Sequence, residues 1–302
     1  MNFSIGLDIG GSKIAGAIFD EKGAPLAQNT VPTPQAYADL LAACGNLVGA
    51  LDKACKQQAK LGIGIAGLID RAQGAVFAPN IPCLEGKNFQ ADCEKAFGRP
   101  VRLANDADCA ALAEALDGAG QGYRTVFGLI MGTGVGGGFV MDGKLLEGTH
   151  GLAGEIGHLP LPFRDAGDGP VADCGCGQKG CIDKSISGPA LARLYKHVTG
   201  REIADARHVV TSLSQNDADT RRVLDQFYAT VAKAMTVVIH TFDPEIIVVS
   251  GGLNTLPGLY ENVPKLWGRY VLPKNPRTKF APAKFGALSG VRGAALATTY
   301  KQ

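Results

Sequence analysis

The sequence predicts an α/β protein built of two related lobes. An internal repeat is the first observation: Ile5 to Asp20 aligns without a gap on Phe127 to Asp142. The pairs Gly6/Gly128, Gly10/Gly132, Gly16/Gly138 and Asp20/Asp142 are each 122 positions apart. The second is the order of apolar runs near the N-terminus, which reads β-β-β-α-β. The third is a long helical stripe followed by a buried strand in the second half, as a repeated lobe requires.

Residues 3 to 9 and Ile14 to Phe19 are β-rich runs joined by Gly10-Gly11-Ser12-Lys13, a hairpin with a glycine tip, and Pro25 to Val31 supplies a third strand. Residues 35 to 58 place Leu40, Cys44, Leu47, Val48 and Leu51 on one helical face, and Leu61 to Ala66 returns to strand. Val101 to Ala104 is a short strand ending in Asn105-Asp106, with a helix over Ala107 to Leu116. An Asp at the C-terminal end of a strand lies where open α/β sheets place ligands, although it can equally be a helix N-cap. Leu224, Phe227, Val231, Met235, Val238, Ile239 and Phe242 form an apolar stripe stopped at Asp243-Pro244. Ile246 to Val249 is a buried strand ending in Ser250-Gly251-Gly252, and Gly290 to Tyr300 reads as a closing helix. The lobes expected are 1–118, joined by a closing helix over 288–302, and 119–287.

At 302 residues, 46% hydrophobic and 19% charged, the chain can bury two lobes' worth of core. A net charge of +2 with both signs interspersed gives no basic face for nucleic acid or anionic membrane. No signal-like N-terminus and no membrane-length apolar run occur, so a cytoplasmic protein is expected. Cys44, Cys55, Cys83, Cys93 and Cys109 are scattered through apolar patterns and read as reduced, mostly buried thiols.

Gly154 to Asp183 is the chemically densest stretch: His158 is followed by Cys174, Cys176 and Cys181 in a glycine-rich span. One imidazole and three thiolates make a closed tetrahedral set for structural zinc. A disulfide with a spare thiol, or three buried thiols, are the competing readings. Glu155 then sits beside a metal-anchored loop, a rigid place for a carboxylate that holds a ligand.

The segments Gly10-Gly11-Ser12-Lys13 and Gly132-Thr133-Gly134-Val135-Gly136-Gly137-Gly138 are hairpin tips, so neither is a Walker A loop or a Rossmann fingerprint. Their backbone N–H groups can still cradle phosphate, and Ser250-Gly251-Gly252 adds a third such turn, so a nucleotide cleft between lobes is expected.

Asp8-Ile-Gly-Gly-Ser-Lys13, Asn105-Asp106, the Gly132 to Gly138 loop, Glu155-Ile-Gly-His158 and the Cys174 to Cys181 segment occur in an order that resembles the ROK family of bacterial sugar kinases. The resemblance covers essentially the whole chain, and within the family the sequence looks most like the N-acetyl-D-glucosamine kinases. It implies an actin-like ATPase (ribonuclease H-like) fold, two duplicated lobes with sugar and nucleotide in the cleft, and a zinc knuckle. By position, Asp106 would be the base that takes the proton of the sugar 6-hydroxyl. Asn105, Glu155, His158 and Asp183 would hydrogen-bond the pyranose, with Gly67 and Asn80 lining the pocket. His158, Cys174, Cys176 and Cys181 would bind zinc. Asp8 would organise Mg²⁺, while Gly10, Gly11, Ser12, Lys13, Gly132, Thr133, Gly134, Gly136, Gly137, Gly138, Gly251 and Gly252 would hold ATP. Asp183 departs from the family's usual Glu, which puts a direct sugar contact in doubt and leaves room for a bridging water.

The activity expected is therefore ATP-dependent phosphorylation of N-acetyl-D-glucosamine at its 6-hydroxyl, with zinc as a structural ion and Mg²⁺ accompanying ATP. Partners are a sugar and ATP, with no nucleic acid and no membrane; a homodimer is one assembly the sequence leaves open. Glucokinase, fructokinase and N-acetylmannosamine kinase activities are the alternatives, because a few contacts decide the sugar. A ROK-type repressor is expected to carry a helix-turn-helix before the first strand, where this sequence has only Met1 and Asn2.

Overall fold

The computed structural model describes residues 2–70, 72–205, 209, 211, 217–272 and 274–299. The chain forms two contact-dense units. One comprises Met1–Asp117, Gly143–Ala153 and Ala287–Gln302; the other comprises Gly118–Asp142 and Gly154–Gly286.

In unit 1, β1 (Ser4–Ile9), β2 (Lys13–Phe19), β3 (Pro25–Pro32), β4 (Lys60–Ile65) and β7 (Val101–Asn105) form a sheet of order β3-β2-β1-β4-β7. The first hairpins are antiparallel, whereas β1, β4 and β7 run parallel. A short ribbon of β5 (Leu68–Ile69) and β6 (Val76–Phe77) follows β4. One face of the sheet buries Ile5, Leu7, Ile9 and Ile63 against Leu40, Cys44, Leu47 and Leu51 of α1 (Tyr37–Cys55) and Phe89 and Cys93 of α2 (Phe89–Phe97). These helical residues recur at three- and four-residue intervals, the stripe that an amphipathic helix presents to a core.

The other face is covered by α3 (Asp106–Asp117) and α8 (Ser289–Leu296) at very short range. A Cβ at Gly6 would lie 1.8 Å from Val291 O, and one at Gly62 would lie 1.8 Å from Ala294 O. Only glycine lets helix backbone approach strand backbone so closely. The expected closing helix is thus present but stops at Leu296; Tyr300, its expected end, lies outside the described residues. The segment 143–153, including β10 (Lys144–Leu145), is tied to unit 1 by a 2.5 Å ion pair between Arg102 and Glu147.

Unit 2 repeats the topology. Its strands β8 (Thr125–Met131), β9 (Val135–Met141), β11 (Ile246–Ser250) and β12 (Lys279–Pro282) run in the order β9-β8-β11-β12. Here β8–β9 is antiparallel while β8–β11 and β11–β12 are parallel, as in β2-β1-β4-β7. Their core packs against α4 (Asp183–Ile186), α5 (Gly188–Thr199), α6 (Ala218–Phe242) and α7 (Leu259–Trp267). The chain leaves α6 through Asp243 in a left-handed conformation, with φ of 43°, immediately before Pro244.

One correction to the repeat emerges from the registers. Ile9 pairs with Ile14, enclosing four residues, whereas Met131 pairs with Val135, enclosing three. The ungapped alignment therefore holds along β1 and β8 but slips by one along the return strands: Gly16, opposite Leu7, corresponds to Gly137, opposite Leu129. A one-residue slip exchanges the two faces of a strand, so sequence offset alone misassigns which glycines face alike.

Among the described residues, no helix is long and apolar enough to cross a membrane.

Candidate active site and metal knuckle

Asn105 ends β7 and Asp106 begins α3. Asn105 Oδ1 accepts from the N–H groups of Ala107 at 2.7 Å and Asp108 at 3.2 Å, so Asn105, not Asp106, caps the helix. Its Nδ2 donates to Gly67 O at 3.0 Å, which fixes the amide orientation. Asp106 is thus released from the capping role that its sequence position allowed, although its Oδ1 accepts from the Ala107 N–H at 2.9 Å. Asn80 lies beside the tip of the first hairpin: a Cβ at Gly11 would meet Asn80 O at 2.6 Å. That tip is braced by Thr33, whose Oγ1 donates to Gly10 O at 2.7 Å and whose N–H donates to Ser12 O at 3.1 Å. Asp8 lies at the start of α8, where a Cβ at Gly290 would come within 2.6 Å of its Oδ2. Burial pushes the Asp8 carboxyl above its usual range, with Lys13 opposing.

In unit 2 the Glu155–His158 turn lies directly on β9. A Cβ at Gly154 would be 2.4 Å from Gly137 O and one at Gly157 would be 2.2 Å from Val135 O. The two glycines of Gly-Glu-x-Gly-His are therefore demanded by close approach, and they set Glu155 against the hairpin. Burial also raises the Glu155 carboxyl, against the opposing effect of His158.

The two nitrogens of His158 face opposite ways. Its Nδ1 is 3.6 Å from Cys174 Sγ, and its Nε2 is 3.9 Å from Glu155 Oε2. Donor atoms of His158, Cys174 and Cys176 lie within 4.8 Å of one another, and Cys176 Sγ is 3.7 Å from Cys181 Sγ. A tetrahedral ion with metal–sulfur bonds of about 2.3 Å puts its sulfurs roughly 3.8 Å apart; the 3.7 Å between Cys176 and Cys181 matches such an edge, while Cys181 lies outside the group of three whose donors are all within 4.8 Å. The residues fit a zinc-type ion, with Glu155 oriented as the outer partner of the ligating imidazole. Hydrogen bonds from Cys174 N to Gln178 O at 2.8 Å and from Gly177 N to Cys174 O at 3.0 Å close the knuckle. The five cysteines outside it are free thiols, three of them buried.

A cavity of about 770 Å³ opens in unit 2, lined by Gly132, Thr133, Gly188, Arg193, Gly252 and Leu256 among others. It is large enough for a nucleotide. Gly132 and Thr133 of the second glycine hairpin and Gly252 of the turn after β11 thus share one cavity. Gly136, Gly137 and Gly138 do not line it; they lie within β9, paired with β8. Pro189, Arg193 and Leu256 were not singled out from the sequence. The signal available was Ser187-Gly188-Pro189, a capped helix start with Pro in its first turn, where Ser187 Oγ accepts from Ala190 N. Asp183 Oδ1 accepts from Val135 N at 2.8 Å, and its Oδ2 pairs with Lys184 Nζ at 2.8 Å.

The ROK family model matches residues 4–300. An N-acetyl-D-glucosamine kinase of Vibrio vulnificus (strain YJ016) is 37% identical over 295 residues, covering 96% of this chain and 97% of the relative. The enzyme of the same name from Pectobacterium atrosepticum is 38% identical over 296 residues, again covering 96% and 97%. Among solved structures, a ROK hexokinase from Thermus thermophilus superposes with a TM-score of 0.85 at 34% identity, covering 98% of this chain and 97% of its own. A ROK family glucokinase from Streptomyces griseus, in complex with glucose and AMPPNP, gives 0.79 at 29% identity, covering 97% and 98%.

Proposed function

The chain belongs to the ROK family, and from that premise we propose that it is an ATP-dependent sugar kinase that phosphorylates N-acetyl-D-glucosamine at its 6-hydroxyl. The observation that carries the kinase reading is the nucleotide-sized cavity walled by Gly132-Thr133 and Gly252. The name shared by the relatives from Vibrio and Pectobacterium supports the choice of sugar.

Phosphoryl transfer asks little covalent work of the protein: it needs alignment, charge neutralisation and an acceptor for one proton. Asp106 takes the proton from the 6-hydroxyl as that oxygen attacks the γ-phosphorus. Asn105 Oδ1 accepts from the Ala107 and Asp108 N–H groups, so the capping role at the start of α3 falls to Asn105. Glu155 accepts from sugar hydroxyls, as do Asn80 and the Gly67 region by side chain or backbone. Backbone at Thr133 and Gly252, in the wall of the unit 2 cavity, holds the phosphates of the nucleotide. Mg²⁺, organised by Asp8, would supply charge neutralisation at the phosphates, and zinc held by His158, Cys174, Cys176 and Cys181 would supply rigidity without an open coordination position.

A coupled ADP-release assay over N-acetyl-D-glucosamine, N-acetylmannosamine, glucose and fructose tests this. We expect N-acetyl-D-glucosamine to give the highest kcat/KM by roughly tenfold or more, the discrimination that a hydrogen-bonded acetamide site can provide. Similarity to the glucokinase and hexokinase structures makes glucose the second reading, and a faster glucose reaction would establish it. Absence of sugar-dependent ADP release with every sugar would sink the kinase assignment.

A further inference from the structure

Asp183 opens α4 two residues after Cys181, is 8% exposed, and both of its oxygens are engaged inside unit 2. Oδ1 accepts from Val135 N at 2.8 Å, and Val135 is the residue that closes the second glycine tip. The fit is tight. A Cβ at Gly134 would lie 3.0 Å from the same oxygen, so the carboxylate reaches the tip beside a residue with no side chain. Oδ2 is neutralised by Lys184 at 2.8 Å, which reduces the cost of keeping the carboxylate charged when buried. Five residues along the chain, Gly188 N donates to Gly132 O at 2.8 Å, so the segment after the knuckle grips the tip at both ends.

Gly132, at one of those grips, and Thr133, between them, line the nucleotide-sized cavity. A tip of such composition loses much conformational freedom when it orders around a phosphate. A charge-assisted hydrogen bond already made in the free protein reduces that cost, and pre-ordering is expressed as ligand affinity.

We propose that Asp183 is a positioning residue for the nucleotide rather than a sugar ligand: through Val135 N it holds the Gly132–Gly134 tip in its phosphate-binding shape. The inference rests on the kinase reading above and deepens it by assigning Asp183 to the nucleotide half of the reaction.

Calorimetric titration separates the roles without turnover: MgADP into sugar-free protein, and N-acetyl-D-glucosamine into nucleotide-free protein. Asp183→Ala is expected to weaken MgADP roughly tenfold or more, the range for losing a hydrogen bond to a charged group, and to leave sugar affinity within about twofold. Asp183→Asn keeps an oxygen acceptor for Val135 N–H and should hold MgADP within about threefold of wild type. Lost sugar affinity with intact MgADP binding in either variant overturns the assignment, as do equal losses of both ligands or no change in Asp183→Ala. If Asp183→Ala does not fold, Asp183→Ser, whose shorter side chain does not reach Val135 N, takes its place with the same supporting and overturning outcomes. Wild-type protein that binds sugar but no MgADP would defeat the nucleotide reading itself, and this inference with it.

Discussion

Asp106 illustrates how one neighbour changes the meaning of a residue. At the junction of β7 and α3 either Asn105 or Asp106 could cap the helix, and the hydrogen bonds assign the cap to Asn105. Asp106→Asn is therefore expected to leave stability nearly unchanged while lowering turnover by about 10²–10⁴, the usual worth of a general base. Single-turnover kinetics with a parallel thermal melt checks it, and near-normal turnover would remove Asp106 from the mechanism. Asn105→Ala should behave differently. It loses a cap worth about 0.5–2 kcal/mol at the start of the helix that carries Asp106, so melting temperature and turnover fall together.

At the scale of elements, the knuckle carries its Cys and His donors at its ends and is braced by an ion cluster in the middle. Lys233 of α6, 2% exposed, reaches Asp165 at 2.7 Å and Asp168 at 2.8 Å in the loop between His158 and Cys174. Asp168 Oδ1 also accepts from Thr230 Oγ1 at 2.8 Å. Burial would pull the Lys233 ammonium down, but its hydrogen bonds and charge pairing with Asp165 and Asp168 outweigh this and raise it. The hydrogen bond from Lys233 chiefly holds the Asp165 carboxyl below its usual range. The depressed Asp165 contributes stability above its ordinary value of 3.8 that is lost as pH falls through its lower folded value. The raised Lys233 contributes stability below 10.5 that is lost as pH rises through its higher folded value. Lys233→Met should cost about 3–5 kcal/mol by stranding the buried Asp168 carboxylate, and should flatten the acid limb of the melting-temperature profile. Cys176→Ser tests the other anchor. We expect one zinc per chain in untreated protein, with loss of zinc and a lower melting temperature in the variant; active wild-type protein without zinc would remove the metal from the account.

At the scale of the whole molecule, each unit has its own sheet and core. A ligand that binds only folded protein stabilises it by mass action, about 2.7 kcal/mol at a hundredfold excess over its Kd. MgADP at such excess should therefore raise the melting transition in a calorimetric scan. An unchanged scan at saturating MgADP would show that the cavity of unit 2 is not its site.

The sequence by itself determined what depends on local pattern. The β-β-β-α-β start, the long helix before Ile246, the duplicated hairpins, the Cys and His spacing and the Asn105-Asp106 junction follow from periodicity, turn chemistry and ligand type, whereas the helix over Phe89–Phe97 and the strand over Lys279–Pro282 were not legible there. Tertiary structure decided what depends on residues distant in the chain. It shortened the second hairpin tip by one residue, because strand register is set by pairing and not by sequence offset. It brought Gly188 and Arg193 to the same cavity as Gly132 and Gly252, and tied 143–153 to unit 1 through Arg102. It also turned the Asp183 carboxylate onto Val135 N, 48 residues away, a hydrogen bond that exists only after β9 and the knuckle have packed together.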